Sequence, residues 1–125
     1  MNANELRVGN WVEANSPMMQ VKEITEHTVG LYMPGSEADP FLYDIEEIRP
    51  IKLSPEILEK YGYQLQHDLE TQSHYFRNNI LTIFDKNTGY CLYKRSLTTY
   101  TEIRFAHHLQ NLHYALTGEE LTYKQ

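Results

Sequence analysis

The chain has 125 residues, 41% of them apolar and 12% aromatic, enough for one domain-sized core and too apolar for a disordered segment. Its net charge of −6 falls entirely in residues 1–62, where five Lys/Arg face 11 Asp/Glu, a balance that opposes phosphate-backbone binding by that half. A lone cysteine excludes an internal disulfide, no apolar run nears the roughly 20 residues of a membrane helix, and Met1 is followed by no signal-peptide pattern, so a cytoplasmic protein without membrane contact is expected.

Leu6-Arg7-Val8-Gly9-Asn10-Trp11-Val12 reads as an opening strand, with Leu6, Val8 and Val12 as inward positions. Gly9 interrupts its alternation and suggests a bulge or a close backbone approach. After a turn at Asn15-Ser16-Pro17, Met19 to Ile24 alternates apolar and polar side chains, the mark of a half-buried strand. A turn near Glu26-His27 leads to a third strand over Thr28–Met33, and Pro34 to Pro40 has loop composition. Phe41–Ile45 and Ile48–Leu53 complete the series. Short strands at this spacing with no helix between them predict a meander curling into a small barrel, similar at fold level to SH3-like barrels.

Ser54-Pro55-Glu56-Ile57-Leu58-Glu59-Lys60-Tyr61-Gly62 is a compact helix signal. Ser54 caps, Pro55 suits the first helical position, Glu56 suits the positive dipole end, and Gly62 suits the residue just past the end. Beyond it, strands are expected over residues 63–66, 74–77, 80–84, 90–94 and 98–103. A turn at Asn78-Asn79 and a hairpin loop at Asp85–Gly89 separate them, with Gly89 placed for positive φ. The abundance of tyrosine, ten residues, favours this β-rich reading.

The last segment, Phe105 to Leu121, reads as one amphipathic helix. Phe105, Leu109, Leu112 and Leu116 share a stripe, while His107, Gln110, Asn111 and Tyr114 lie on the opposite face. Gly118 is its stop signal, with Leu121 folding back on the last turn. The segment His108-Leu109-Gln110-Asn111-Leu112 through Ala115-Leu116-Thr117-Gly118-Glu119-Glu120-Leu121 resembles the ending of a family of small uncharacterised proteins from Bacteroidetes genomes, their phages and mobile elements. Asn4-Glu5-Leu6-Arg7-Val8-Gly9-Asn10-Trp11-Val12 is similar to the same family's start, and Ile51–Glu56 with Tyr61-Gly62 to its middle. The resemblance implies a bacterial or phage cytoplasmic setting and assigns no activity, so no functional residue is carried over from it.

No residue pattern predicts catalysis. The helical histidines His107, His108 and His113 stand at i+1, i+5 and i+6, not the i+3 or i+4 of a chelating pair, so no metal is assigned and they read as partly exposed polar groups. Cys91 reads as a buried thiol, Asp44, Glu46 and Glu47 as a solvated run, and the glycines make no phosphate-binding loop. No catalytic residue and no cofactor are assigned.

The expectation is therefore an α+β protein. An SH3-like small β-barrel spans residues 1–53, a linking helix spans 54–62, and an antiparallel sheet packed by a C-terminal helix spans 63–125; whether the halves share one core is left open. The expected function is a noncatalytic protein-binding module, using His107, Gln110, Asn111 and Tyr114 on the outer helix face with Trp11 nearby, against an unidentified protein partner. An alternative is a nucleic-acid accessory role, binding single strands through Lys86, Tyr90, Tyr93, Lys94, Arg95 and Arg104, where basic and aromatic residues interleave. A further alternative is an acidic nucleic-acid mimic that inhibits a host protein.

Overall fold

The computed structural model describes residues 3–14, 18–33, 40–67, 74–77, 82–85, 91–94 and 100–124; for Ala3 and residues 65–102 the description is of the backbone alone. The fold is α+β, and the chain divides into two compact units. The first comprises Met1–Ile51 with Phe105–Asn111, and the second Lys52–Arg104 with Leu112–Gln125.

In the first unit a 3-10 turn, Ala3–Glu5, precedes four antiparallel strands in sequence order: β1 (Trp11–Glu13), β2 (Met18–Ile24), β3 (Thr28–Tyr32) and β4 (Phe41–Asp44). Alternation in β2 puts Met19 and Val21 inside, where they meet Val29 and Leu31 of β3 and Val12 of β1. Leu6, Ala14 and Ile48 close this core, with Ile24, Tyr43 and Ile45 packed at its margin. The β2–β3 register shifts between Val21 and Glu23, a bulge opposite Gly30. A Cβ at Gly30 would stand 3.3 Å from the Cβ atoms of both Glu23 and Pro40, so a side chain there would have to push these neighbours a few tenths of an ångström aside.

The sheet is an open meander rather than a closed barrel. A second 3-10 turn, Ile45–Glu47, follows β4, and Arg49 then makes one antiparallel bridge back to Glu13, through N–H···O bonds of 3.0 and 2.8 Å. The expected strand over residues 48–53 is reduced to isolated bridge positions at Arg49 and Lys52. The expected opening strand is also shorter, because residues 7–10 form a turn instead. The Asn10 N–H donates to the Arg7 carbonyl at 3.1 Å, and Gly9 takes φ 97°, a conformation side-chain-bearing residues avoid. The turn rotates Val8 outward, 58% exposed against expectation, while Leu6 and Val12 are buried as expected.

In the second unit Ser54 Oγ accepts the Ile57 N–H at 3.2 Å and Pro55 opens α1 (Pro55–Lys60), as its capping residues predicted. Gly62 follows at φ 87°. Five antiparallel strands in sequence order come next: β5 (Gln64–His67), β6 (His74–Arg77), β7 (Thr82–Asp85), β8 (Cys91–Lys94) and β9 (Tyr100–Ile103). Their positions follow the expected ones closely. The turns expected at Asn15–Pro17, Asn78-Asn79 and Gly89, and the loop tip before Pro40, lie outside the described residues. Tyr61 is buried edge-on against Tyr123, ring centroids 5.0 Å apart, and the Lys124 N–H donates to the Lys60 carbonyl at 2.7 Å, which fixes the C-terminal tail within this unit. The last helix, α2 (Ala106–Thr117), ends at Gly118 with φ 74°, and Leu121 is buried beyond it.

Candidate functional site

The turn over residues 7–10 leaves backbone groups that the sheet ladder does not use, and side chains of α2 take them up. Gln110 Oε1 accepts the Trp11 N–H at 2.8 Å, and its Nε2 donates to the Gly9 carbonyl at 3.0 Å. Asn111 Oδ1 accepts from Arg7 Nε and from Asn10 Nδ2, both at 2.9 Å, while its Nδ2 donates to the Glu5 carbonyl at 2.8 Å. Asn10 Oδ1 in turn accepts the Arg7 N–H at 2.7 Å. The two adjacent amides thus use acceptor and donor alike, the condition under which burying them costs little. These contacts join the chain's opening and closing motifs, which stand about a hundred positions apart in sequence.

This arrangement corrects the expected binding face. His107, Gln110 and Trp11 are buried, and Asn111 is half-buried with its hydrogen-bonding capacity engaged. They form an internal bracket, not an outward surface. Tyr114 alone of the five is exposed, and it belongs to the second unit. The reason is physical: an amide facing an irregular backbone segment stabilises the fold more than one facing water, whatever the helical periodicity suggests.

One turn earlier on α2 lies a group that helical spacing could not reveal. His107 Nε2 is 3.4 Å from Glu5 Oε2, and His108 Nε2 is 3.9 Å from the same oxygen. The two imidazole rings are 4.4 Å apart, and Phe105 flanks them at 5.9 and 5.3 Å. His107 is fully buried, its Nδ1 without a hydrogen-bond partner. Burial, reinforced by the neighbouring His108, holds its pKa down at about 4 despite the opposing pull of Glu5. The imidazole is therefore neutral near pH 7, with a lone pair to offer. His113 is buried as well, and burial lowers its pKa in spite of Glu119 and Glu120. The reading of the helical histidines as partly exposed holds for His108 and fails for these two.

A second feature of the first unit is the free side of β4. The strand pairs only with β3 among the described residues. Its consecutive residues Phe41 and Leu42 are 57% and 66% exposed, and their side chains point to opposite faces. Asp44, Glu46 and Glu47 at its end are exposed carboxylates, and the expected solvated run is found there.

Of the residues named for nucleic-acid binding, Lys86, Tyr90 and Arg95 lie outside the described residues. Tyr93 and Lys94 sit in β8 opposite Thr101 and Tyr100, and Arg104 is exposed just after β9. Cys91 opens β8 opposite Ile103. No helix among the described residues is long and apolar enough to cross a membrane. Compared with protein-family models, curated proteins and solved structures, the chain matches none.

Proposed function

We propose that the chain is a noncatalytic protein-binding module of bacterial or phage and mobile-element origin, and that β4 is its docking edge. The observation that carries this reading is the exposure of Phe41 and Leu42 on a strand with one side unpaired among the described residues. Edge strands are usually blunted by charges within them, because their open N–H and C=O groups template further pairing. Here the apolar pair occupies the strand itself, and the charges stand at its end. An added strand would gain backbone hydrogen bonds along β4 and apolar contact on both faces. The carboxylates of Asp44, Glu46 and Glu47 favour a partner segment that is extended, apolar and basic.

The finer fold belongs to this proposal too. In an SH3-like barrel the last segment passes a 3-10 turn and returns beside the first strand. The turn Ile45–Glu47 and the Arg49–Glu13 bridge support that likeness for residues 1–53. It carries no function by itself.

The test is site-specific photo-crosslinking in cells with the full chain. A photoreactive residue at Leu42 should give discrete protein adducts that a control at exposed Glu56 of α1 does not, and Phe41→Lys should remove them. Adducts equal at both positions, or none at Leu42, would overturn the reading.

A further inference from the structure

We propose that Glu5, His107 and His108 form a binding site for a divalent transition-metal ion, with two imidazole nitrogens and one carboxylate oxygen as protein ligands. This site is independent of the β4 docking edge.

The geometry carries the argument. One donor atom from each of the three residues lies within 4.8 Å of the other two. A metal with bonds of about 2.0–2.2 Å to nitrogen and oxygen sets its donors roughly 3.3 Å apart. The pair His107–Glu5, at 3.4 Å, already has that spacing, and His108–Glu5, at 3.9 Å, is close to it. The residues that must close the remaining gap are the less enclosed ones: side chains of Glu5 and His108 are 46% and 35% exposed, whereas His107 is fully enclosed. Neighbouring helix positions do not normally converge, and here they do so because the third ligand comes from the 3-10 turn that the bracket holds against α2. Asn111 Nδ2 fixes the Glu5 carbonyl at 2.8 Å, so the amide network orients the carboxylate's own backbone.

As a purely internal contact the cluster is poorly compensated. A single carboxylate oxygen is shared between two imidazoles at 3.4 and 3.9 Å, beyond the usual N–H···O range, and His107 Nδ1 has no partner. A cation between the three groups would replace those weak contacts with bonds to each. Two nitrogens and one oxygen select a borderline ion such as Zn²⁺, Co²⁺ or Fe²⁺ over Mg²⁺ or Ca²⁺, and three protein ligands leave coordination positions for water or an exogenous donor.

The test uses the full chain without a polyhistidine tag, stripped with EDTA and titrated with Co²⁺. The proposal expects visible d–d absorption that saturates at one equivalent and is displaced by Zn²⁺. Glu5→Gln and His108→Ala, both at partly exposed positions, should each weaken Co²⁺ binding by about tenfold or more, and His27→Ala should leave it unchanged. Imidazole NMR of the unmodified chain is a second readout independent of variant folding: Zn²⁺ should shift His107 and His108 and not His27. No saturable Co²⁺ absorption, equal binding by Glu5→Gln, or Zn²⁺ shifts elsewhere than His107 and His108 would overturn it.

Discussion

Within α2, residues 106–111 and residues 112–117 differ in which apolar side chains they cover, although each half buries histidine, His107 in the first and His113 in the second. In the first half His107 and Gln110 are buried, beside the apolar Ala106 and Leu109. In the second half Ala115 and Leu116 are exposed, although Leu116 belongs to the same apolar stripe as Leu109. One helix with one periodicity therefore has two different relations to its surroundings. What separates them is the neighbouring backbone. Residues 106–111 face a turn whose N–H and C=O groups need partners, and amide side chains supply them at lower cost than water-excluding apolar groups could. Periodicity reports where apolar side chains are gathered, and unpaired backbone decides which polar side chains join them.

The largest effect expected from this contrast is at Gln110. Gln110→Leu keeps the volume but removes the Oε1 acceptor of the Trp11 N–H and one of the two donors to the Gly9 carbonyl, which also accepts from Gln20 Nε2. Urea denaturation should show a loss of about 2–4 kcal/mol. A loss near zero would mean that the bracket contributes nothing to stability.

The next effect is in pH dependence, measured in EDTA. His107 has a folded pKa of about 4, below the ordinary value of 6.5, so between these the unfolded chain binds more protons than the folded one. Its contribution is fully present above about pH 6.5 and is lost as pH falls toward 4, on the order of 3 kcal/mol in all. His107→Asn should flatten the stability profile across that window. His113→Asn should flatten it in the same direction, because burial lowers that pKa too. An unchanged slope in His107→Asn would place the acid sensitivity elsewhere.

A smaller effect is expected in the turn that the bracket grips. A Cβ at Gly9 meets nothing within 4 Å, so Gly9→Ala carries backbone strain alone at φ 97°. Calorimetry should register about 1–2 kcal/mol. The smallest effect is at Leu116, where Leu116→Gln should change stability by no more than about 0.5 kcal/mol, since an exposed apolar residue loses little burial. A larger loss there would erase the difference between the two halves.

Much of the architecture was legible in local signals. Ser54, Pro55 and Gly62 delimited α1 because caps act within a few residues, and the alternation of Met19 to Ile24 found β2 because one face is buried. Gly118 marked the end of α2 for the same local reason. Gly9 signalled an interruption, but its alternation-based prediction put Val8 inside, since nothing local says that a turn rather than a bulge forms there. The candidate site was much less legible. The outward assignment of His107, Gln110 and Asn111 followed the amphipathic pattern, with Trp11 added from the barrel loops, and it failed because these residues meet partners about a hundred positions away in sequence. The convergence of Glu5, His107 and His108 was not legible because only tertiary placement gives the adjacent histidines a carboxylate neighbour.

Amide hydrogen exchange at Trp11 tests the bracket most directly. Its N–H stands at the start of β1 and donates to a side chain, Gln110 Oε1, at 2.8 Å. It should exchange as slowly as the Val21 N–H, which donates to the Asn10 carbonyl, and Gln110→Leu should accelerate Trp11 well beyond Val21. Rapid exchange at Trp11 in the unmodified chain, or equal acceleration of both amides in the variant, would contradict it.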